Sequence, residues 1–156
     1  CKWVVDHLGF DACVDYRAGG LYKALRTACP NGIDVYFDNV GGSILEATLA
    51  LMNEKGRIAC CGAISQYDSA NPTGPRNLPG ALVVKRLRME GFIVMDFAND
   101  DAKAIRALQT WVANGQIKVT EDIVDGLENA PAALIGLLAG DNKGKRMVRA
   151  GADPKH

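Results

Sequence analysis

The chain has 156 residues, 48% hydrophobic and 23% charged, and its 18 basic and 18 acidic side chains cancel to a formal charge of zero. That length can bury a core without disulfide or metal support, and the composition excludes a mainly disordered chain. Neutrality argues against nucleic acid or an anionic membrane surface as the main partner, and the longest apolar stretch, near Ala132 to Ala139, is short for a bilayer span and holds Gly136.

The chain opens at Cys1, without Met, on what reads as the last turns of a helix and so as a piece of a longer protein. Cys1 to His7 show no basic start followed by an apolar run, so no secretory signal is expected. Trp3, Val4, Val5 and Leu8 predict a helix closed by Gly9. Ala12 to Tyr16 read as a short strand, and Leu21, Leu25 and Ala28 as one face of a helix stopped by Pro30-Asn31-Gly32. The β-branched and aromatic run Ile33 to Asp38 predicts a second strand. Ser43 is then placed to cap a helix that runs to Gly56, with Glu46 completing a capping box.

Arg57 to Gly62 predict a third strand, and the loop Ala63 to Gly80 is long enough to expect a function of it. Leu82 to Val84 begin a turn or short helix. Leu87 to Met95 predict a fourth strand, at a sheet edge because its first half is charged. Asn99 or Asp100 caps an amphipathic helix carrying Ile105, Leu108, Trp111 and Val112, ended by Asn114-Gly115. Beyond Gln116, strand near Ile117 to Val124, helix from Ala130 to Leu138 and strand at Arg146 to Arg149 are expected in a different layer. Strands alternating with helices predict an α/β fold with a parallel sheet covered on both faces.

The five cysteines are odd in number and lack C-x-x-C spacing, and with only His7 and His156 beside them they make no metal site. A reducing cytoplasm follows. The vicinal pair Cys60-Cys61 reads either as two small buried hydrophobes or as a redox couple.

Ligands of an open parallel sheet bind past the carboxyl ends of its strands. Those ends read Asp15-Tyr16-Arg17, Asp38-Asn39-Val40-Gly41-Gly42, Gly62 to Asp68, and Ile93 to Phe97. Each has a bland alternative. Asn39 to Gly42 reads also as a tight strand-to-helix turn, Tyr16 as a half-buried strand end, Tyr67 as a packing lid, and Lys85-Arg86-Arg88 as a solvated edge. Asp38 would orient either a ribose or a helix. No G-x-G-x-x-G occurs, so a pyrophosphate cradle would have to precede Cys1.

Tyr36-Phe37-Asp38-Asn39-Val40-Gly41-Gly42, Gly56-Arg57-Ile58 and Cys61 to Tyr67 together resemble the zinc-independent medium-chain dehydrogenases/reductases of the leukotriene B4 12-hydroxydehydrogenase (prostaglandin reductase) and plant double-bond reductase type. The likeness continues through Leu87 to Phe92, Glu128 to Ala133 and Gly140 to Lys145. It implies an incomplete doubly wound, Rossmann-like sheet. Residues 1–115 would be the carboxyl-terminal part of an NADP-binding domain, and 116–156 a tail returning to a GroES-like substrate domain whose main part is absent. It further implies NADPH-dependent reduction of a carbon–carbon double bond conjugated to a carbonyl, with a small enone or enal as substrate. A homodimer through the 87–94 strand is expected from its edge position, since edge pairing needs no active site.

By the same resemblance Tyr16 would pack at the adenosine end near the 2′-phosphate, and Asn39 would lie against the cofactor. Cys61, Gly62, Ala63, Ile64, Ser65, Gln66 and Tyr67 would wrap the nicotinamide ribose and amide, with Tyr67 the catalytic hydroxyl. Phe92, Ile93 and Val94 would contact the nicotinamide, and Asn142 would reach the cofactor from the tail. The competing readings are a non-catalytic nucleotide-binding or dimerisation module and, from the end of the Ile33 strand, a methyltransferase.

Overall fold

The computed structural model describes residues 1–67, 70, 71 and 74–152; Asp68 of the long loop and His156 lie outside the described residues. The chain divides into two compact units, Cys1–Asp101 and Ala102–His156. The first contains α1 (Lys2–Leu8), α2 (Leu21–Ala28), β1 (Ile33–Asp38), α3 (Gly42–Leu51), β2 (Met52–Cys60), α4 (Leu78–Lys85) and β3 (Arg88–Gly91). Its sheet is parallel, in the order β1-β2-β3. The core lies where Leu45 and Leu49, one helical turn apart on α3, meet Met52 and Ile58 of β2. Tyr36, Leu78 and Met89 pack around them.

Several expectations need correction. Ala12 to Tyr16 form no strand, because the β1-β2-β3 ladder has no partner for them and an extended segment becomes a strand only by pairing. The sheet therefore has three strands. The face opposite α3 and α4 is not covered either: Val35 and Phe37 stay 58% and 56% exposed, and an open groove of about 340 Å³ runs from Val35 to Phe92 and Phe97. Helix α3 stops at Leu51 rather than near Gly56, since β2 already begins at Met52. The register shift between Ile33 and Val35 absorbs the early start. Asn53 secures that irregular entry, donating from Nδ2 to the Asn31 carbonyl at 3.1 Å and to Asp34 Oδ1 at 2.8 Å.

Ser43 is the second residue of α3 and caps nothing; Gly41 holds the cap position, so the capping box does not form. The fourth expected strand shortens to Arg88–Gly91, and Val94–Asp100 winds into 3-10 turns that lead into α5 (Asp101–Ala113).

In the second unit β4 (Glu121–Asp125) and β5 (Lys145–Arg149) pair in parallel across α6 (Ala130–Ala139), a βαβ arrangement. Arg146 and Asp122 join the two strands at 2.8 Å. The Lys143 backbone N–H and the Arg146 guanidinium hold the Asp122 carboxyl below its ordinary range.

Lys85, which reads in sequence as part of a solvated basic edge, lies at the other end of α3. Its Nζ donates to the carbonyls of Leu49, Ala50 and Met52 at 3.0, 2.8 and 2.8 Å. These carbonyls lie at and just past the carboxyl end of α3, where Leu49 also accepts from Met52 N–H and the helix dipole favours a cation. Arg86 and Arg88 remain at the surface, paired with Glu54 and Glu90. Replacing Lys85 by Met keeps the aliphatic stem but removes three charge-assisted bonds, and should cost about 1–3 kcal/mol in urea unfolding with an unchanged m value.

Candidate functional site

The strand-end site is built from the carboxyl end of β1. Asp38 is only 2% exposed, and its Oδ1 accepts hydrogen bonds from the Val40 and Gly41 N–H groups at 2.9 Å each and from the Tyr36 hydroxyl at 2.8 Å. Of its two expected roles, orienting a helix is the one its contacts perform. The turn that follows needs glycine: Gly41 has φ 71° and ψ −152°, a region essentially closed to residues with a Cβ.

The backbone of the same turn holds the next loop. The Asp38 carbonyl accepts from Cys61 and Gly62 N–H at 2.8 and 3.2 Å, and the Asn39 carbonyl from Ile64 N–H at 3.1 Å. The Val40 carbonyl takes both the N–H and the hydroxyl of Ser65, at 3.1 and 2.6 Å. Residues Ile64–Gln66 close into a 3-10 turn, and the Ala63 N–H donates to the Tyr67 hydroxyl oxygen at 3.2 Å. That contact leaves the Tyr67 O–H proton free to be donated, from a side chain 68% exposed. The closure is tight at Gly62, where a Cβ would stand 3.1 Å from the Tyr67 hydroxyl and 3.4 Å from the Asn39 carbonyl oxygen.

From the β3 side, Phe92 N–H donates to the Cys60 carbonyl at 3.1 Å. The rings of Phe37, Phe92 and Phe97 meet edge to face, with centroids 5.8 and 5.9 Å apart. Between the 61–67 loop and Phe92-Ile93 lies an open cleft of about 560 Å³, lined by Cys61, Gly62, Ala63, Tyr67, Phe92 and Ile93 among others. Cys60 is half-buried and burial, with the nearby Asp38 charge, pushes its thiol up, whereas Cys61 is exposed; both are free thiols.

The expected residues are thus partly assembled. Asn39 and Cys61 through Tyr67 form one hydrogen-bonded unit, with Phe92 and Ile93 across the cleft. Val94, exposed, begins the turn beyond it. Tyr16 does not line the cleft; its ring lies 5.6 Å from the Arg17 guanidinium and its hydroxyl accepts from Arg17 Nε. Asn142 belongs to the second unit, where its Nδ2 donates to the Gly144 carbonyl at 2.7 Å. The carbonyl of Val40, which anchors Ser65, was not legible in sequence, since any residue carries such a group.

Burial and the Asp38 bond push the Tyr36 phenol well above its ordinary value near 10. The native state thus binds this proton more tightly than the unfolded chain. Its contribution to stability is complete below pH 10 and is lost as pH rises above that toward the raised native value. Urea titrations at rising pH should show the wild-type chain losing stability above pH 10 more steeply than Tyr36→Phe, which has no phenol there to titrate.

Residues 8–148 match the family described as zinc-binding dehydrogenase. The NADPH-dependent curcumin reductase of Escherichia coli is 41% identical over 98% of this chain and 46% of its own length. Prostaglandin reductase 1 of Rattus norvegicus is 46% identical over 92% of the chain and 44% of its own. The chain therefore spans somewhat under half the length of these relatives. Among solved structures, CurA from Vibrio vulnificus in complex with NADPH superposes with a TM-score of 0.90 at 41% identity, covering 98% of this chain and 47% of that one.

Proposed function

The chain belongs to the zinc-binding dehydrogenase family, in its prostaglandin reductase branch, and from that premise we propose that it works as the cofactor-holding part of an NADPH-dependent reductase. The substrates proposed are small α,β-unsaturated ketones and aldehydes, and the chemistry is proposed to be zinc-independent, as the resemblance to the prostaglandin reductase type implies. The observation that carries this reading is the loop 61–67 folded over the end of β1, facing a cleft of about 560 Å³. Family membership removes the methyl-transfer alternative.

The residues present fit a nicotinamide nucleotide. Gly62 and Ala63 bring bare backbone to the cleft wall, where a larger side chain at Gly62 would meet Tyr67. Asn39 and the 61–67 loop would hold the ribose and amide, with Phe92, Ile93 and Val94 supplying apolar surface for the ring. When bound, the cofactor supplies hydride to the carbon β to the substrate carbonyl. Tyr67, held by Ala63 N–H and exposed to the cleft, would position the ribose and deliver a proton from its hydroxyl. Tyr16 would pack near the adenosine 2′-phosphate, and Asn142 would reach the cofactor from the tail.

Residues 1–115 are proposed as the nucleotide-binding portion and 116–156 as a return to the substrate domain, in a cytoplasmic protein. Strand β3 ends the sheet with an unpaired edge, which supports homodimer formation through 87–94.

Fluorescence titration of the purified chain with NADPH and NADH is expected to show saturable binding that favours NADPH. Gly62→Val should weaken it about tenfold or more, through overpacking against Tyr67. A folded chain that binds neither nucleotide would overturn the cofactor role. Loss of NADPH absorbance with a small enone separates a reductase from a module that only binds.

A further inference from the structure

We propose that Cys1 and Cys13 are the two halves of a reversible disulfide, a redox-modification site separate from the strand-end cleft. Their Sγ atoms lie 2.9 Å apart, with the Cys13 thiol donating to Cys1, and both residues are exposed. The backbone creates the pairing. Cys1 precedes α1 and its carbonyl accepts from Val5 N–H at 3.1 Å; Gly9, left-handed at φ 78°, ends the helix, and its N–H donates back to Val5 at 3.2 Å. The chain then bends at Asp11, and residues 12–15, which belong to no helix or strand, bring Cys13 back to the start of the helix.

A disulfide bond is about 2.05 Å long, so bonding requires the sulfurs to approach by ~1 Å, a movement within reach of χ1 rotation on two exposed side chains. The other cysteines are less suited. Cys29 and Cys60 are half-buried, and burial pushes the Cys60 thiol up, which lowers its thiolate fraction. Cys61 is exposed, but its sequence neighbour Cys60 turns inward, as successive residues at a strand end do.

The oxidant is a low-molecular-weight disulfide such as oxidised glutathione. One cysteine thiolate attacks a glutathione sulfur, the glutathione S–S bond breaks, and one glutathione thiolate leaves. The second cysteine thiolate then attacks the protein sulfur of the mixed disulfide, the Cys1–Cys13 bond forms and the second glutathione departs. The two cysteines lose two protons and two electrons, and the electrons reduce one glutathione disulfide to two thiols. Reversible bridges of this kind in a reducing compartment are typically redox-responsive rather than structural.

The test treats the full chain with excess oxidised glutathione, alkylates the remaining thiols with N-ethylmaleimide, and reads intact mass and tryptic peptides. The expected product has lost two hydrogens, carries three alkylated cysteines of the five, and yields peptide 1–2 joined to peptide 3–17. Dithiothreitol should restore all five thiols. Cys13→Ser should retain four alkylated thiols and no bridge after the same treatment, whereas Cys61→Ser should still form the 1–13 link. A bridge between any other pair, glutathione retained on both Cys1 and Cys13, or five free thiols in the treated chain would overturn the proposal.

Discussion

The fold of the first unit turns on one carboxylate at the end of a strand. Asp38 takes the Tyr36 hydroxyl behind it and the Val40 and Gly41 N–H groups ahead of it. A buried carboxylate is tolerated when hydrogen bonds replace its lost water, and here three donors converge on Oδ1 where the chain bends out of β1 toward α3. The same bend turns the carbonyls of Asp38, Asn39 and Val40 toward the 61–67 loop, so the helix start and the loop over the cleft are set by one local arrangement.

Lys85 is the counterpart of Asp38 at the far end of α3. One helix is held at its entrance by an anion that satisfies N–H groups and at its exit by a cation that satisfies carbonyls. Between them Leu45 and Leu49 press on Met52 and Ile58. Helix, strand and the loop over the cleft are therefore joined by one continuous set of hydrogen bonds and core contacts. The opposite sheet face, with Val35 and Phe37 exposed, contributes little to that set.

Much of the site was legible in the sequence because its signals are local. The β-branched run Ile33 to Asp38, the glycines at 41 and 42 and the hydroxyl-bearing stretch after Gly62 announce a strand, a turn and a polar loop at neighbouring strand ends. What was misread depended on partners. Ala12 to Tyr16 have the composition of a strand but no ladder to join. Ser43 has the chemistry of a cap, yet Asp38 and Gly41 occupy the geometry a cap requires, which leaves Ser43 inside the helix. Lys85 carries no local mark of its role, because its three acceptors lie more than thirty residues earlier in the chain.

By itself the sequence determined the α/β class and the presence of most helices and of the Ile33 strand, which follow from periodicity and turn chemistry, and its motifs in chain order carried the family resemblance. Only the tertiary structure decided that Asp38 serves the backbone, that Tyr67 closes on Ala63 past a glycine, and that Cys1 meets Cys13. Each is a contact fixed by the path of the backbone through space, and residue type alone specifies what a side chain can bond, not what it will find beside it.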